Sequence, residues 1–301
     1  MPTAPKPRPN EIQIGTVPSA DGTEIGYRRQ GSGPGLVLVQ GSMGTAENFR
    51  ELSAALAPHF DVVSPDRRGR GLSGPGCSTY ALAREIEDLD SVLTATGARF
   101  VFGVSTGAVI ALWARRRIPA IEKLAAYEPV LFRNRHSLPR HDIRAFEQAI
   151  AADRVPAALV AGMKAGGFAP AALRVLPDRV LAWLVGLGLR REAKQPPTAY
   201  TPMSELVYSL RNDFALVQEV AGRIDDLADL ADLEHRVLLL GGAKSSAALR
   251  RGLDLAAAAL PHAATVRLAG LGHEAAWNAD LSGAPRQVAA ELATFFTSPV
   301  R

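Results

Sequence analysis

Between an apolar run at 100–104 and a helix-forming stretch at 107–117, the chain reads Gly103-Val104-Ser105-Thr106-Gly107. A G-x-S-x-G pattern by itself says little in a chain with 27 glycines. At a strand-to-helix junction it constrains the fold sharply. The serine occupies a turn so tight that a side chain two residues to either side would collide with the adjoining strand and helix. Gly103 and Gly107 remove those collisions, and Ala108 continues the small residues. The helix then begins directly behind Ser105, so its N-terminal amides face any anion formed there. The plainer alternative is a glycine-rich turn with an incidental serine. A carboxylate nucleophile is excluded, because residue 105 is serine.

The rest of the chain alternates strand-like and helix-like segments, as an α/β architecture requires. Strands are predicted at 12–17, 23–27, 36–39, 60–63, 100–104, 124–127, 237–240 and 265–268. Helices are predicted at 47–56, 80–96, 107–117, 246–260 and 287–296, with Gly97 as a C-cap. From about 133 to 222 no strong strand pattern appears. That stretch is mostly helical and interrupted by Pro156, Pro170, Pro177, Pro196 and Pro197. The expected organisation is a disordered tail at 1–10, an α/β core at 11–132 and 223–301, and an inserted helical cap at 133–222.

The formal charge of +4 and pI near 9.4 raise the question of nucleic acid. The basic residues argue against it. Arg115, Arg116 and Arg117 close a predicted helix, where cations suit the helix dipole. No basic stripe with interleaved aromatics and no nucleic-acid module is present. The single cysteine, Cys77, excludes an intramolecular disulfide and a multi-cysteine zinc site. The proline-rich N-terminus lacks the apolar region of a secretory signal, and no apolar run reaches membrane-span length. A cytoplasmic location is the default expectation.

An activated serine needs a base and an anion site. Of the six histidines, His273 follows the last predicted strand. It therefore lies at the C-terminal edge of the sheet, where open α/β folds bind ligands. His59 and His235 precede their strands, and His262 ends a helix. His136 and His141 fall in the cap. One oxyanion donor is the N–H of Thr106, the residue after the nucleophile. The other is assigned to the N–H of Ser42 in Gln40-Gly41-Ser42-Met43-Gly44, the loop after the third strand. Gln40 and Met43 are placed beside the substrate pocket.

Four motifs together resemble the α/β-hydrolase superfamily, in its capped esterase/lactonase-like branch. They are Gln40-Gly41-Ser42, the Asp66-Arg67-Arg68-Gly69-Arg70-Gly71-Leu72-Ser73 loop, Gly103 to Gly107, and Gly272-His273. The resemblance covers 11–298, weakly in the cap. It implies a mostly parallel central sheet flanked by helices, with Asp66 and Arg68 as scaffold. Two departures stand out. Gln40 replaces the family's usual histidine. The segment after 237–240, Gly241-Gly242-Ala243-Lys244-Ser245-Ser246, lacks the usual aspartate, and Asp232 and Glu234 lie at the wrong edge. Glu128, directly after 124–127, is the candidate acid; the alternative is a structural carboxylate in a Tyr-Glu-Pro turn. Glu274, adjacent to His273, is poorly placed for an orienting hydrogen bond.

The reading is a cofactor-independent serine hydrolase of an ester, thioester or lactone, with Ser105, His273 and Glu128 as triad. A small-molecule substrate with a hydrophobic acyl part is expected, with no cofactor, metal or nucleic acid; a homodimer is compatible. Met163, Phe168, Leu173, Leu176, Leu181, Trp183, Leu184 and Leu187 supply apolar side chains to the cap, a few of them to the pocket. Two rival readings are a cyclase or lyase on the same fold and an inactive ligand-binding protein.

Overall fold

The computed structural model describes residues 11–75, 80–167, 176–195, 198–230 and 236–299. The expected tail at 1–10 lies outside them, as do Cys77, Phe168, Pro170, Leu173, Pro196, Pro197, Asp232, Glu234 and His235.

Eight strands form one sheet, with β1 (Gln13–Pro18), β2 (Glu24–Gly31), β3 (Gly35–Val39), β4 (Asp61–Pro65), β5 (Phe100–Val104), β6 (Lys123–Tyr127), β7 (Val237–Gly242) and β8 (Ala264–Leu268). Their spatial order is β1-β2-β4-β3-β5-β6-β7-β8. Only β1 and β2 run antiparallel to their neighbours; β4 onward pair in parallel. This is an α/β-hydrolase fold, and the predicted strands all recur within a few residues. The turn Asp21-Gly22 joins β1 to β2, with Gly22 at φ +82°.

The central strands are apolar on both faces because helices cover both. Alternate residues go to opposite sides. Val37, Val39, Val101, Leu124, Ala126, Val237 and Leu239 pack with α2 (Leu82–Thr96), α3 (Thr106–Arg115) and α9 (Ala247–Ala259). Leu36, Leu38, Phe102, Ala125, Tyr127, Leu238 and Leu240 pack with α1 (Arg50–Leu56) and α10 (Pro285–Thr297). Gly97, in the left-handed region at φ +70°, ends α2 as its sequence position predicts.

Between β6 and β7 the described elements are all helical: α4 (Arg140–Ala151), α5 (Val155–Ala165), α6 (Asp178–Glu192), α7 (Met203–Leu206), α8 (Leu210–Val220) and short 3₁₀ turns. They have an apolar cluster of their own, built on Ile143, Phe146, Leu159, Val207, Leu210 and Phe214. That cluster packs these helices against one another.

The Asp66 loop is pinned from several sides. Asp66 accepts from the backbone N–H groups of Ala46 (2.6 Å) and Leu72 (2.9 Å). Arg68 is buried and reaches Asp88 (2.6 Å) and Asp21 (2.9 Å). Hydrogen bonds from Arg68 and Thr23 hold the Asp21 carboxyl below the ordinary carboxylate range. A depressed native pKa contributes stability above the unfolded value of about 4 and loses it as pH falls further. Acid unfolding checks this: Asp21→Asn is expected to be less stable than the parent at pH 7 and to lose less stability on acidification.

Candidate active site

Ser105 sits between β5 and α3 with φ +58° and ψ −118°. This backbone region is costly for any residue with a side chain. The glycines around it are dictated by contact. A Cβ at Gly103 would lie 2.3 Å from the carbonyl oxygen of Gly107, and one at Gly107 would lie 2.3 Å from that of Val39. Gly41 faces Ser105 itself, with its imagined Cβ 2.8 Å from the serine Cβ. Since backbone, not a flexible side chain, fills these spaces, Gly103→Ala or Gly107→Ala is expected to cost about 3 kcal/mol or more. Urea unfolding of the two variants measures it.

Among the described residues, the non-glycine residues with positive φ are Met43, Ser105, Glu128, Asp153 and Ser282. Three of them follow the C-terminal ends of β3, β5 and β6. Strain of this kind persists where the surroundings over-determine it, and it gathers at functional sites.

Glu128 is fully buried, and its carboxylate has two partners. Oε1 accepts from the N–H of Gly242 at 2.7 Å. Oε2 lies 2.6 Å from Nδ1 of His273. A carboxylate only accepts, so Nδ1 is the donor in this contact. The turn bearing His273 is held in place by Tyr127, whose hydroxyl donates to the carbonyl of Gly272 at 2.6 Å. Burial, with Glu128 and Glu274 nearby, pushes the Tyr127 phenol well above its ordinary pKa, so it stays a donor. Gly242 has to be small: a Cβ there would meet the carbonyl of Leu271 at 2.5 Å. The C-terminal end of β7, which offers no carboxylate, therefore contributes a backbone donor to the carboxylate that follows β6.

Ser42, Ser105 and Thr106 border a cavity of about 570 Å³. Its apolar wall comes from Val130, Leu131 and Phe132 after β6, Ile143 of α4, and Phe214 and Val217 of α8. Asp142, Lys164 and Arg251 stand on its lining as well. His273 is not a lining residue of this cavity; its side chain is 16% exposed.

Several expected positions move. Gln40 is not a pocket residue: it is fully buried, and its amide donates to the carbonyl of Pro65 at 2.7 Å. Met43 packs against the apolar cluster of the insertion and does not line the cavity. Met163, Leu176, Leu181, Trp183, Leu184 and Leu187 do not line it either. Trp183 is 60% exposed, and α6, which packs on α5, has Leu181 as its buried residue. Ile143, Phe214 and Val217, the insertion's apolar contribution, lie on helices whose inward faces only packing defines.

Sequence reasoning also missed a buried charge cluster beside the site. Arg67, Arg70, Glu85 and Asp213 are all buried. Burial works to raise the Asp213 carboxyl, but Arg70 and Arg67 outweigh it and hold the group below the ordinary range. The Asp66-to-Ser73 motif flagged the loop, but the two arginines occupy its variable positions.

A sequence model described as the alpha/beta hydrolase family matches residues 36–291. The chain belongs to that family. An alpha/beta hydrolase from Sphaerobacter thermophilus is 32% identical, with TM-score 0.75 over 94% of this chain and 100% of that one. The uncharacterized hydrolase YraK of Bacillus subtilis is 33% identical over 130 residues, 42% of this chain. The match spans 48% of YraK, about half of that relative's length. The esterase RhEst1 from Rhodococcus shares the fold at 21% identity and TM-score 0.64, over 95% of this chain and 98% of its own. Among the described residues, no helix is long and apolar enough to cross a membrane. None of their His, Cys, Asp and Glu side chains form a group able to hold a metal ion.

Proposed function

We propose that this hydrolase is a cofactor-independent serine enzyme that cleaves an ester, thioester or lactone with a hydrophobic acyl part, through an acyl-enzyme on Ser105. The 2.6 Å contact between Glu128 Oε2 and His273 Nδ1 carries the reading. It supplies the acid that the segment after β7 lacks. It also leaves Nε2 as the base nitrogen for the serine proton.

In this mechanism Ser105 Oγ attacks the acyl carbonyl carbon, and His273 Nε2 takes the hydroxyl proton. The oxyanion is held by the N–H groups of Ser42 and Thr106. Thr106 is the first residue of α3, so its N–H belongs to the unpaired donors at a helix start. His273 then gives its proton to the leaving oxygen or sulfur. Water, activated by the same nitrogen, attacks the acyl carbon and releases Ser105 with the acid product. Each preplaced donor contributes about 3–4 kcal/mol in the transition state.

Residues 133–222 act as the cap. The apolar wall that Ile143, Phe214 and Val217 place against Ser105 suits a hydrocarbon acyl chain. A cavity of about 570 Å³ fits a medium-sized ligand. The cyclase or lyase reading drew on the altered Gln40 and a missing acid, and the inactive-binder reading on the missing acid alone. Gln40 is turned away from the cavity, its amide on the carbonyl of Pro65. With Glu128 beside His273, no observation in the site favours them.

The test is a fluorophosphonate probe read by intact mass, with a panel of aryl esters, acyl thioesters and lactones of graded chain length. Stoichiometric labelling of the parent but not of Ser105→Ala, with turnover rising toward longer acyl chains, is expected. A folded parent that neither labels nor turns over any of the panel would discard the reading.

A further inference from the structure

We infer that Asp213 is a positioning residue for the oxyanion hole: from α8 it locks together the two backbone segments whose N–H groups are proposed to hold the oxyanion. The inference rests on the acyl-enzyme reading for its catalytic consequence. Its structural part stands on contacts alone.

One carboxylate oxygen serves the Thr106 side. Oδ1 of Asp213 accepts from Arg67 NH1 at 2.7 Å and from the Thr106 hydroxyl at 3.1 Å. Arg67 NH1 also lies 3.1 Å from that hydroxyl, and the Ser42 hydroxyl is 3.3 Å from it. The other oxygen serves the loop after β3. Oδ2 accepts from Arg70 NH2 at 2.6 Å. Through its other terminal nitrogen the same guanidinium donates to the carbonyls of Gly41 (2.8 Å) and Gly44 (3.3 Å). These carbonyls bracket Ser42 and Met43, and Met43 is held at φ +58°.

A loop in that conformation does not hold itself. A non-glycine residue at positive φ relaxes unless its neighbours prevent it. Arg70 closes the loop by gripping both ends, and Asp213 fixes Arg70. Arg67 is fixed in turn by Glu85, whose carboxylate takes its Nε at 3.1 Å and its NH2 at 2.7 Å. Two cations and two anions thus balance in a region closed to water. Ion pairs placed this deeply contribute little net stability compared with apolar replacements. Their geometry, by contrast, is rigid, and rigid placement of donors is what oxyanion stabilisation requires. Asp213 also ties the acyl wall to the chemistry: its immediate neighbour Phe214, and Val217 one turn on, line the cavity.

The experiment compares the parent with Asp213→Asn and with the charge-balanced pair Arg70→Met/Asp213→Leu, which keeps the fold testable if the single variant does not fold. Two readouts are taken: backbone amide exchange over 40–46 and 105–109, and kcat and KM on the best ester of the panel. Exchange in 41–44 is expected to accelerate about tenfold beyond the change that the variant's shifted unfolding midpoint produces in the rest of the core, a local opening on top of any global loss. A fall in kcat of about 100-fold with KM within about threefold is expected alongside. A folded variant with parental exchange in the loop overturns the inference whatever its activity. Faster exchange with kcat within about twofold overturns it too, since oxyanion donors act on the chemical step. A parent inert to fluorophosphonate would instead remove the acyl-enzyme reading, and the exchange result alone would then decide the lock.

Discussion

Ser105→Ala is expected to lower kcat by about 10⁵–10⁶-fold while leaving the fold and ligand binding intact. The size follows from the role proposed for the side chain. Under that mechanism, without Oγ there is no covalent intermediate, and what remains is a base and an anion hole acting on water. Those remnants retain about 10³–10⁴-fold over the uncatalysed reaction in comparable sites. Ser105→Gly separates chemistry from strain. Ser105 stands at φ +58°, ψ −118°, which a glycine adopts freely. The glycine variant is therefore expected to be as inactive as the alanine variant yet more stable than it by about 1 kcal/mol or more. Steady-state kinetics and urea unfolding of the two variants side by side check both parts. Equal stability of the two would mean that the elbow stores no strain.

Glu128→Gln gives the second large effect. The amide replaces a carboxylate whose two oxygens both accept, Oε1 from Gly242 N–H and Oε2 from His273 Nδ1. A carboxamide has one oxygen. If it stays on Gly242, an NH₂ faces Nδ1, which must then accept and push the proton to Nε2. The base nitrogen is lost to the wrong tautomer, and kcat is expected to fall about 10⁴-fold with KM little changed. Slowed fluorophosphonate labelling at an unaltered unfolding midpoint is the matching observation. A fall below about tenfold would return Glu128 to the role of a turn carboxylate, because an orienting acid in a triad is worth far more than that.

The residues proposed to carry this chemistry differ in how far their placement was legible. The Ser105 elbow could be read from the chain because its cause is local: a strand, a tight turn and a helix leave no room for Cβ atoms at Gly103 and Gly107. His273 was legible at one remove, since the end of the last parallel strand faces the ligand edge of such a sheet. Glu128 was legible only as one of two roles. Its position after β6 is in the sequence. Its 2.6 Å approach to a histidine 145 residues later depends on β6, β7 and β8 lying side by side.

The strand segments, the two-sided apolar core and the helical character of the insertion follow from periodicity and turn chemistry, which act over a few residues and so are written in the chain; the order of the strands in the sheet is set by pairing between distant segments. The cavity wall and the charge cluster do not. Gln40 looked like a pocket residue from its place in a loop, yet Pro65 supplies a backbone acceptor that draws it inward. The apolar residues of the insertion could not be sorted into packing and lining by apolarity alone, and Trp183 and Leu184 do neither fully, standing at 60% and 42% exposure on α6. Asp213 gave no signal at all. A lone acid on an amphipathic helix reads as a solvated residue until folding sets Arg67 and Arg70 against it. Contacts between residues more than a hundred positions apart depend on the closed chain, so only the tertiary structure could decide them.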